Sequence, residues 1–196
     1  MKSINVKGTA RTATGKKATR DLRKNGGVPC NLYGENKNEN GESIAMSFAT
    51  TQEELRKLVY SPDIYSVNLT IDGKECKAVM KERQFHPVTD QLLHVDFYEI
   101  TEEKPIVMEV PIQMTGLAEG VKAGGKLAAS VRKLKVRAPY TAIPEKLIID
   151  VTNLALGKTI KVGELSFEGL ELVTSPSVVV CQVKMTRSAM SAAAKG

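Results

Sequence analysis

The sequence predicts a mainly β protein with a few short helices: a small N-terminal β-barrel of α+β character, followed by a β-rich, sandwich-like C-terminal domain. Two observations predict this class. Apolar residues mostly recur at every second position, the period of a half-buried strand. After residue 105, turn signals such as Pro139, Pro144, Gly157 and Gly169 separate the apolar segments. The 196 residues, 42% of them hydrophobic, are enough for one or two packed domains.

The first hundred residues are expected to alternate strands with two helices. Ile4 and Val6 mark a first strand at 2–12, and the glycine pair after residue 25 ends a short helix at 16–25. A second helix is expected from a cap at Thr50 or Thr51 through Tyr60, with two glutamates in its first turn. A polar loop is expected at 34–41, and the remaining strands are expected at 28–33, 43–48, 64–71, 75–83 and 92–100.

The segment TEEKP (101–105) is polar, charged and closed by proline, which is typical of a linker. We therefore expect one domain at 1–100 and a second at 106–185, with a flexible tail at 186–196. Strands of the second domain are expected at 106–115, 127–138, 146–151, 158–163, 170–174 and 177–184.

Composition favours a cytoplasmic protein. The three cysteines are odd in number and far apart in sequence, which indicates reduced thiols rather than a disulfide framework. No apolar run approaches about eighteen residues, and the first residues lack the apolar centre of a signal peptide. These features exclude neither an enzyme nor a binding protein.

Positive charge is concentrated at one end of the chain. The net charge is +6, yet residues 1–37 hold nine Lys or Arg against two Asp or Glu, a balance of +7. Residues 38–196 hold nineteen against twenty, a balance of −1. Such asymmetry indicates a polyanion site near the N-terminus.

The predicted first helix carries this charge on one side. At about 100° per residue, Ala18 and Leu22 face a sheet and the cations face outward on one arc of about 100°. The members of that arc are Lys16, Arg20, Arg23 and Lys24. A solvated charged face is the alternative, but the charge balance of the whole chain favours a ligand.

Two other stretches could carry chemistry. In the strand 92–100, alternation places His94, Asp96 and Tyr98 on one face, and Leu93, Val95 and Phe97 on the other. Only two histidines occur and none lies in a metal or nucleophile motif, so we predict no catalytic residue, metal site or cofactor. GVKAGGKL (120–127) begins like a phosphate-binding loop but has Leu127 where Ser or Thr is needed, so we interpret it as a turn.

The ligand predicted by these residues is structured RNA. DNA-reading folds would show a longer recognition helix, a zinc finger or a basic zipper, and none is evident. The chain also has no Trp and no aromatic motif for stacking single-stranded bases. A compact basic surface with a few polar residues suits recognition of RNA by backbone shape, phosphates and 2′-hydroxyls.

Four segments in order resemble the L-twenty-five family of large-subunit ribosomal proteins from bacteria, in its long two-domain form of the general-stress type. The segments are GKKATRDLRKNGGVPCNLYG (15–34), FHPVTDQLLHVDFYEI (85–100), VPIQMTGLAEGVKAGGKLA (110–128) and IPEKLIIDVTNLALGKTIKVGEL (143–165). The resemblance implies an N-terminal barrel bound to 5S rRNA in the central protuberance of the large ribosomal subunit, with neighbouring ribosomal proteins and rRNA as further partners. It implies no enzymatic activity, no small-molecule substrate and no membrane.

The resemblance also implies particular contacts. The family's RNA-binding pattern falls on Arg11, Lys16, Arg20, Arg23, Tyr33, His94 and Asp96, and the helix geometry adds Lys24. Asp21 departs from the family, whose members commonly have another basic residue there, and Lys24 exchanges an arginine fork for a point charge. A stress-induced RNA-binding protein acting partly off the ribosome remains an alternative, as does a phosphate-ester or nucleotide enzyme. The contacts of the second domain stay open.

Overall fold

Six strands of the first hundred residues close into a β-barrel in the computed structural model, which describes residues 1–34, 45–101 and 104–186. The chain divides between Lys104 and Pro105 into two units, each described by itself below. The elements of the first unit are β1 (Lys2–Ala10), α1 (Lys16–Lys24), β2 (Gly27–Tyr33), β3 (Met46–Thr51), α2 (Gln52–Tyr60), β4 (Tyr65–Ile71), β5 (Lys74–Phe85) and β6 (Leu92–Glu99).

Two parallel pairings close the barrel, whose strand order is β1-β3-β2-β6-β5-β4. β1 runs parallel to β4 from Lys2 opposite Tyr65 onward, and β2 runs parallel to β6 from Cys30 opposite Val95 onward. The other neighbours are antiparallel. The second parallel pair sets residues near position 31 beside residues near position 96.

The barrel interior is apolar and close-packed. Alternate residues of the strands enter it, as the sequence period predicts, and Val6, Phe48 and Phe97 have no exposed surface. The two phenyl rings lie 5.7 Å apart between centroids. Gly8 leaves the space that the Phe48 ring occupies, since a Cβ there would lie 2.6 Å from Cδ2 of that ring.

Both predicted helices of the first unit are confirmed. α2 starts after Thr51, whose hydroxyl accepts the backbone N–H of Glu54 at 3.4 Å. Its face formed by Leu55, Leu58 and Val59 is buried. The predicted loop beyond Gly34 and the start of the strand expected at 43–48 lie outside the described residues, and β3 extends to Thr51.

The prediction that Leu93 shares the inner face of its strand with Val95 and Phe97 is wrong. Leu93 is only half-buried, whereas Leu92 enters the core at 2% exposure. The cause is a β-bulge: Gln84 lies opposite His94 and Phe85 opposite Leu92, so that Leu93 has no partner on β5. His94, Asp96 and Tyr98 keep the shared outer face that the sequence predicts.

The second unit contains a four-stranded sheet, β10-β7-β9-β12, and a three-stranded sheet, β11-β13-β8. Its core includes Val110, Leu134, Val136, Cys181 and Val183. The elements are β7 (Pro105–Thr115), α3 (Glu119–Lys122), β8 (Lys126–Ala129), β9 (Lys133–Pro139), β10 (Leu147–Asp150), β11 (Thr159–Lys161), a 3-10 helix (Val162–Glu164), β12 (Glu171–Leu172) and β13 (Val179–Lys184).

The single strand expected at 127–138 is wrong. The chain leaves β8 at Ser130 and enters β9 at Lys133, and these two strands belong to different sheets. The backbone N–H groups of Ser130 and Val131 donate to the carbonyl of Val180, while the carbonyl of Arg132 accepts from Ile112. At this crossing the apolar alternation shifts by one position, from Leu127 and Val131 to Leu134 and Val136.

Two short helices of the second unit were not expected from the sequence. α3 lies within the glycine-rich stretch, where the backbone of Leu156 lies 2.6 Å from the position of a Cβ on Gly120. A 3-10 turn replaces the end of the strand expected at 158–163. The fold class is confirmed: a mainly β chain with short helices, in which a barrel precedes a β-rich domain. No helix among residues 1–34, 45–101 and 104–186 combines the length and the apolar character needed to cross a membrane.

Replacing Gly8 by alanine is expected to lower the free energy of unfolding by about 1–3 kcal/mol, because the added methyl group must displace the Phe48 ring from a filled core. Urea denaturation measures the change. Ser3→Ala, at an exposed position of the same strand, is the control and is expected to stay within about 0.5 kcal/mol. Equal stability of the two variants would contradict the packing described.

The barrel core also protects a thiol. Burial, with Asp96 nearby, raises the pKa of Cys30 to about 12, and burial raises the pKa of Cys76 and of Cys181. At pH 8 only about one Cys30 thiol in ten thousand would be ionised in the folded chain. Iodoacetamide at pH 8 is therefore expected to label the half-buried Cys76 well before Cys30, and to label all three in urea. Peptide mass spectrometry reads this order, which a fast-reacting Cys30 would refute.

Candidate nucleic-acid interface

Helix α1 presents its cations much as predicted, with one exception. The helix follows Gly15 (φ 107°) and stops before Gly26 (φ 77°), two positions at which a left-handed backbone favours glycine. Its exposed cations are Lys16, Lys17, Arg20 and Lys24, whereas Ala18, Leu22 and Arg23 are half-buried. Leu22 packs over the start of β2, where a Cβ on Gly27 would lie 2.5 Å from its Cδ1.

Arg23 binds the barrel instead of lying on the outward face. Its Nε and Nη2 donate to the carbonyl oxygen of Leu93 at 3.1 and 2.9 Å. The carbonyl is at the residue left unpaired by the bulge of β6. The sequence prediction that Arg23 belongs to the outward arc is therefore wrong, because a long side chain at the edge of that arc reaches a nearby strand.

Arg11 fixes the other end of the helix. Its backbone N–H donates to the carbonyl of Ser47 at 2.9 Å. Its guanidinium Nη2 donates to the carbonyl of Ala13 at 3.3 Å and to the hydroxyl of Thr19 at 3.2 Å. Arg11 thus joins the end of β1, the following loop and α1.

A row of polar residues crosses the outer face of the barrel beside α1. Ser47 on β3 lies opposite Asn31 on β2, Asn31 lies opposite Asp96 on β6, and Asp96 lies opposite Glu82 on β5. We call these four residues the polar row. The hydroxyl of Ser47 donates to the side-chain oxygen of Asn31 at 3.0 Å. The sequence signal for Asn31 was a polar residue inside the apolar strand GVPCNLY, but only the pairing shows its neighbours.

The predicted residues of β2 and β6 come together at this row. The Nδ1 atom of His94 lies 3.5 Å from Oδ1 of Asp96, and the two side chains retain 20% and 22% exposure. Tyr33 and Tyr98 face each other across the two strands in an edge-on arrangement, with ring centroids 5.7 Å apart. Burial, followed by the charge of Asp96, raises the pKa of Tyr33, which therefore stays a neutral phenol able to donate a hydrogen bond.

The arrangement separates two kinds of chemistry. α1 presents ammonium and guanidinium groups, which attract phosphate oxygens. The polar row presents the carboxylates of Asp96 and Glu82 beside amide, hydroxyl and imidazole groups, and these carboxylates repel phosphates. Such a surface suits a ligand with an anionic ridge next to an uncharged, hydrogen-bonding groove.

The other chemical motifs do not form sites. In the described ranges, no three His, Cys, Asp or Glu side chains lie close enough together to hold a metal ion. The stretch GVKAGGK runs from α3 into the first residue of β8, so it leads from a helix to a strand, whereas a phosphate-binding loop leads from a strand to a helix. Its Gly125 packs against Gly120 and Leu156, so this stretch is a tight turn.

Comparison with known proteins decides the family. Residues 6–97 match the family model described as "Ribosomal L25p family", and residues 105–187 match "Ribosomal protein TL5, C-terminal domain". A relative in Phocaeicola vulgatus, named large ribosomal subunit protein bL25, is 64% identical over 194 residues, which cover 99% of this chain and 98% of the relative. The chain belongs to the ribosomal L25p family. Relatives with the same name in Bacteroides thetaiotaomicron and Porphyromonas gingivalis are 60% and 53% identical to this chain. The matched residues cover 98% and 99% of these two relatives.

Family membership confirms the resemblance that the four sequence segments indicate, including the long form with two domains. As an L25p family member, the chain is a structural constituent of the ribosome and not an enzyme. The individual residues that contact RNA stay predictions, and the geometry divides them. Lys16, Arg20 and Lys24 are exposed, whereas Arg11 and Arg23 hold α1 in place.

This division predicts that two arginines of α1 contribute very differently to the stability of the fold. Arg23→Ala is expected to lower the free energy of unfolding by about 1.5–3 kcal/mol, since two charged hydrogen bonds to Leu93 are lost. Arg20→Ala removes an exposed side chain and is expected to change it by less than about 0.5 kcal/mol. Chemical denaturation followed by circular dichroism measures both variants. A neutral Arg23→Ala would show that the contact with Leu93 contributes nothing.

Proposed function

We propose that this L25p family member is a component of the large ribosomal subunit that binds 5S rRNA in the central protuberance. The binding surface is α1 together with the polar row. The observation that carries the proposal is that exposed Lys16, Arg20 and Lys24 share a helix that Arg23 joins to Leu93 of β6. The same strand carries Asp96, which lies opposite Asn31. The names of the relatives support the assignment to the large subunit of bacterial ribosomes, which work in the cytoplasm.

Charge supports a nucleic acid as the ligand of α1. The three cations fall at successive steps of about 40° around the helix axis, so they point in one direction. No acidic residue lies in the first turn of α1 to balance them. Like charges on one side of a helix destabilise it slightly unless an anion neutralises them. A phosphate ridge supplies that anion.

The polar row supports double-stranded RNA over DNA. The minor groove of an RNA helix is wide and shallow and displays 2′-hydroxyls, which both donate and accept hydrogen bonds. Asp96 and His94 supply an acceptor and an imidazole for such groups, and Tyr33 supplies a phenol. With α1 on the phosphates, these side chains lie where the neighbouring groove would be.

The proposal predicts a specific salt dependence. The affinity of the full chain for 5S rRNA is expected to fall steeply with salt, because each cation bound to a phosphate releases counterions. Arg20→Ala/Lys24→Ala is expected to weaken binding and to reduce the slope of log K against log salt by about two. Filter binding or fluorescence anisotropy at several salt concentrations measures both quantities.

The matched control is Lys57→Ala/Lys74→Ala, which removes the same charge from exposed positions on α2 and at the start of β5. This variant is expected to keep the slope of log K against log salt that the unaltered chain shows. Equal effects of the two double variants would show that only net charge matters. A full chain that binds 5S rRNA but never sediments with large subunits in a sucrose gradient would favour the alternative of a role off the ribosome.

A further inference from the structure

A cavity of about 960 Å³ lies between the end of α1 and one face of α2. Asn25 and Gly26, directly after α1, form one side of it. Glu53, Arg56 and Tyr60 of α2 form the other. The volume is in the range that ligand sites occupy, about 300–1,000 Å³. Neither the proposed contact of α1 with phosphates nor the polar row uses this cavity.

The three α2 residues form a single face of that helix. At about 100° per residue, positions 53, 56 and 60 fall within an arc of about 60°. The opposite face, with Leu55, Leu58 and Val59, is buried in the barrel. Packing against the core therefore leaves Glu53, Arg56 and Tyr60 directed together into the cavity.

Each of these side chains is available for a ligand. Tyr60 is an aromatic residue with 55% of its surface exposed, and its ring is held by Phe85 at a centroid distance of 6.0 Å. Within the ranges that the structure describes, neither the carboxylate of Glu53 nor the guanidinium of Arg56 lies in an ion pair, although they are three residues apart on one helix. An aromatic ring, a guanidinium and a carboxylate thus line one cavity, and the two charged groups form no ion pair with each other.

We propose that this cavity binds an unpaired nucleotide, with the base stacked on Tyr60, its phosphate on Arg56 and its hydrogen-bonding edge on Glu53. Aromatic and guanidinium planes are the usual partners of splayed-out RNA bases. Guanine is the expected base, because its N1–H and N2–H groups are adjacent donors that match the two oxygens of a carboxylate. Uracil offers one donor between two acceptors and fits Glu53 less well.

The source of this nucleotide is the RNA held by α1, and this part of the inference rests on the proposed function. Asn25 of the cavity wall follows Lys24, the last exposed cation of α1, so a phosphate backbone bound along α1 runs up to the cavity. A nucleotide extruded from the duplex at this point would enter the cavity while the RNA backbone stays in contact with α1. Regions of RNA with unstacked bases are the ones that proteins read by sequence.

A mononucleotide titration tests the cavity independently of RNA binding. GMP added to the full 15N-labelled chain is expected to shift the amide signals of Asn25, Gly26 and Gln52 in a saturable way, with a Kd of about 1 mM. Tyr60→Phe keeps the ring and is expected to keep the shifts. Tyr60→Leu and Glu53→Ala are expected to weaken them severalfold, and UMP is expected to bind more weakly than GMP. No saturable shift with GMP, or shifts unchanged in Tyr60→Leu, would overturn the proposal.

Binding to 5S rRNA tests the source of the nucleotide. Tyr60→Leu is expected to weaken binding about 5- to 150-fold at every salt concentration without changing the salt slope, because stacking releases no counterions. Tyr60→Phe is the control for packing on Phe85, and Glu53→Ala is a second variant at an exposed position outside that packing. If GMP binds but Tyr60→Leu and Glu53→Ala both retain full affinity for 5S rRNA, the proposal that the nucleotide comes from this RNA is refuted.

The two proposals fail in different ways. If the unaltered chain does not bind 5S rRNA, or Arg20→Ala/Lys24→Ala binds with an unchanged slope, the proposed function fails while the GMP titration still decides the cavity. If the cavity is instead the seat of a peptide from a neighbouring protein, GMP produces no saturable shift and the nucleotide proposal is overturned.

Discussion

The position of α1 depends on hydrogen bonds from two arginines more than on a buried apolar face. α1 has nine residues and no fully buried side chain, and a helix of that length is marginal by itself in water. Arg23 joins it to the carbonyl of Leu93 on β6, and Arg11 joins it to the loop that precedes it. These bonds fix the direction of the remaining cations, so two arginines position the helix while Lys16, Arg20 and Lys24 stay exposed.

The barrel topology brings the rest of the surface together. Parallel pairing of β2 with β6 sets Asn31 beside Asp96 and Tyr33 beside Tyr98, although more than sixty residues separate the two strands. The bulge at Leu93 serves the same surface, because it turns a backbone carbonyl into an acceptor for Arg23. The cationic helix, the polar row and the cavity under Tyr60 all belong to this one barrel.

Much of the fold of the first unit could be predicted from the sequence, but features that depend on contacts with distant strands could not. The strands and both helices of the first unit follow from apolar periods, capping residues and glycines, which are local signals. The break at 130–132 leaves only a weak signal, because one pair of adjacent polar residues, Arg132 and Lys133, shifts an alternation that continues on both sides. The facing of Leu93 could not be predicted either, because a bulge is set by the register with another strand. The hydrogen bonds from Arg23 to Leu93 could not be predicted for a similar reason, because helix angles describe where a side chain starts and not which group a long side chain reaches.

The link between Arg23 and Leu93 spans seventy positions of the chain, and this separation has a consequence for folding. Contacts between distant residues form late, because the closure of a long loop costs entropy before any contact compensates it. The antiparallel neighbours β4, β5 and β6 can assemble locally, whereas β1 pairs with β4, and β2 pairs with β6, across about sixty residues of the chain. The basic surface is therefore completed in the last steps of barrel formation. An anion that binds this surface selects chains whose barrel has already closed and shifts the folding equilibrium toward them.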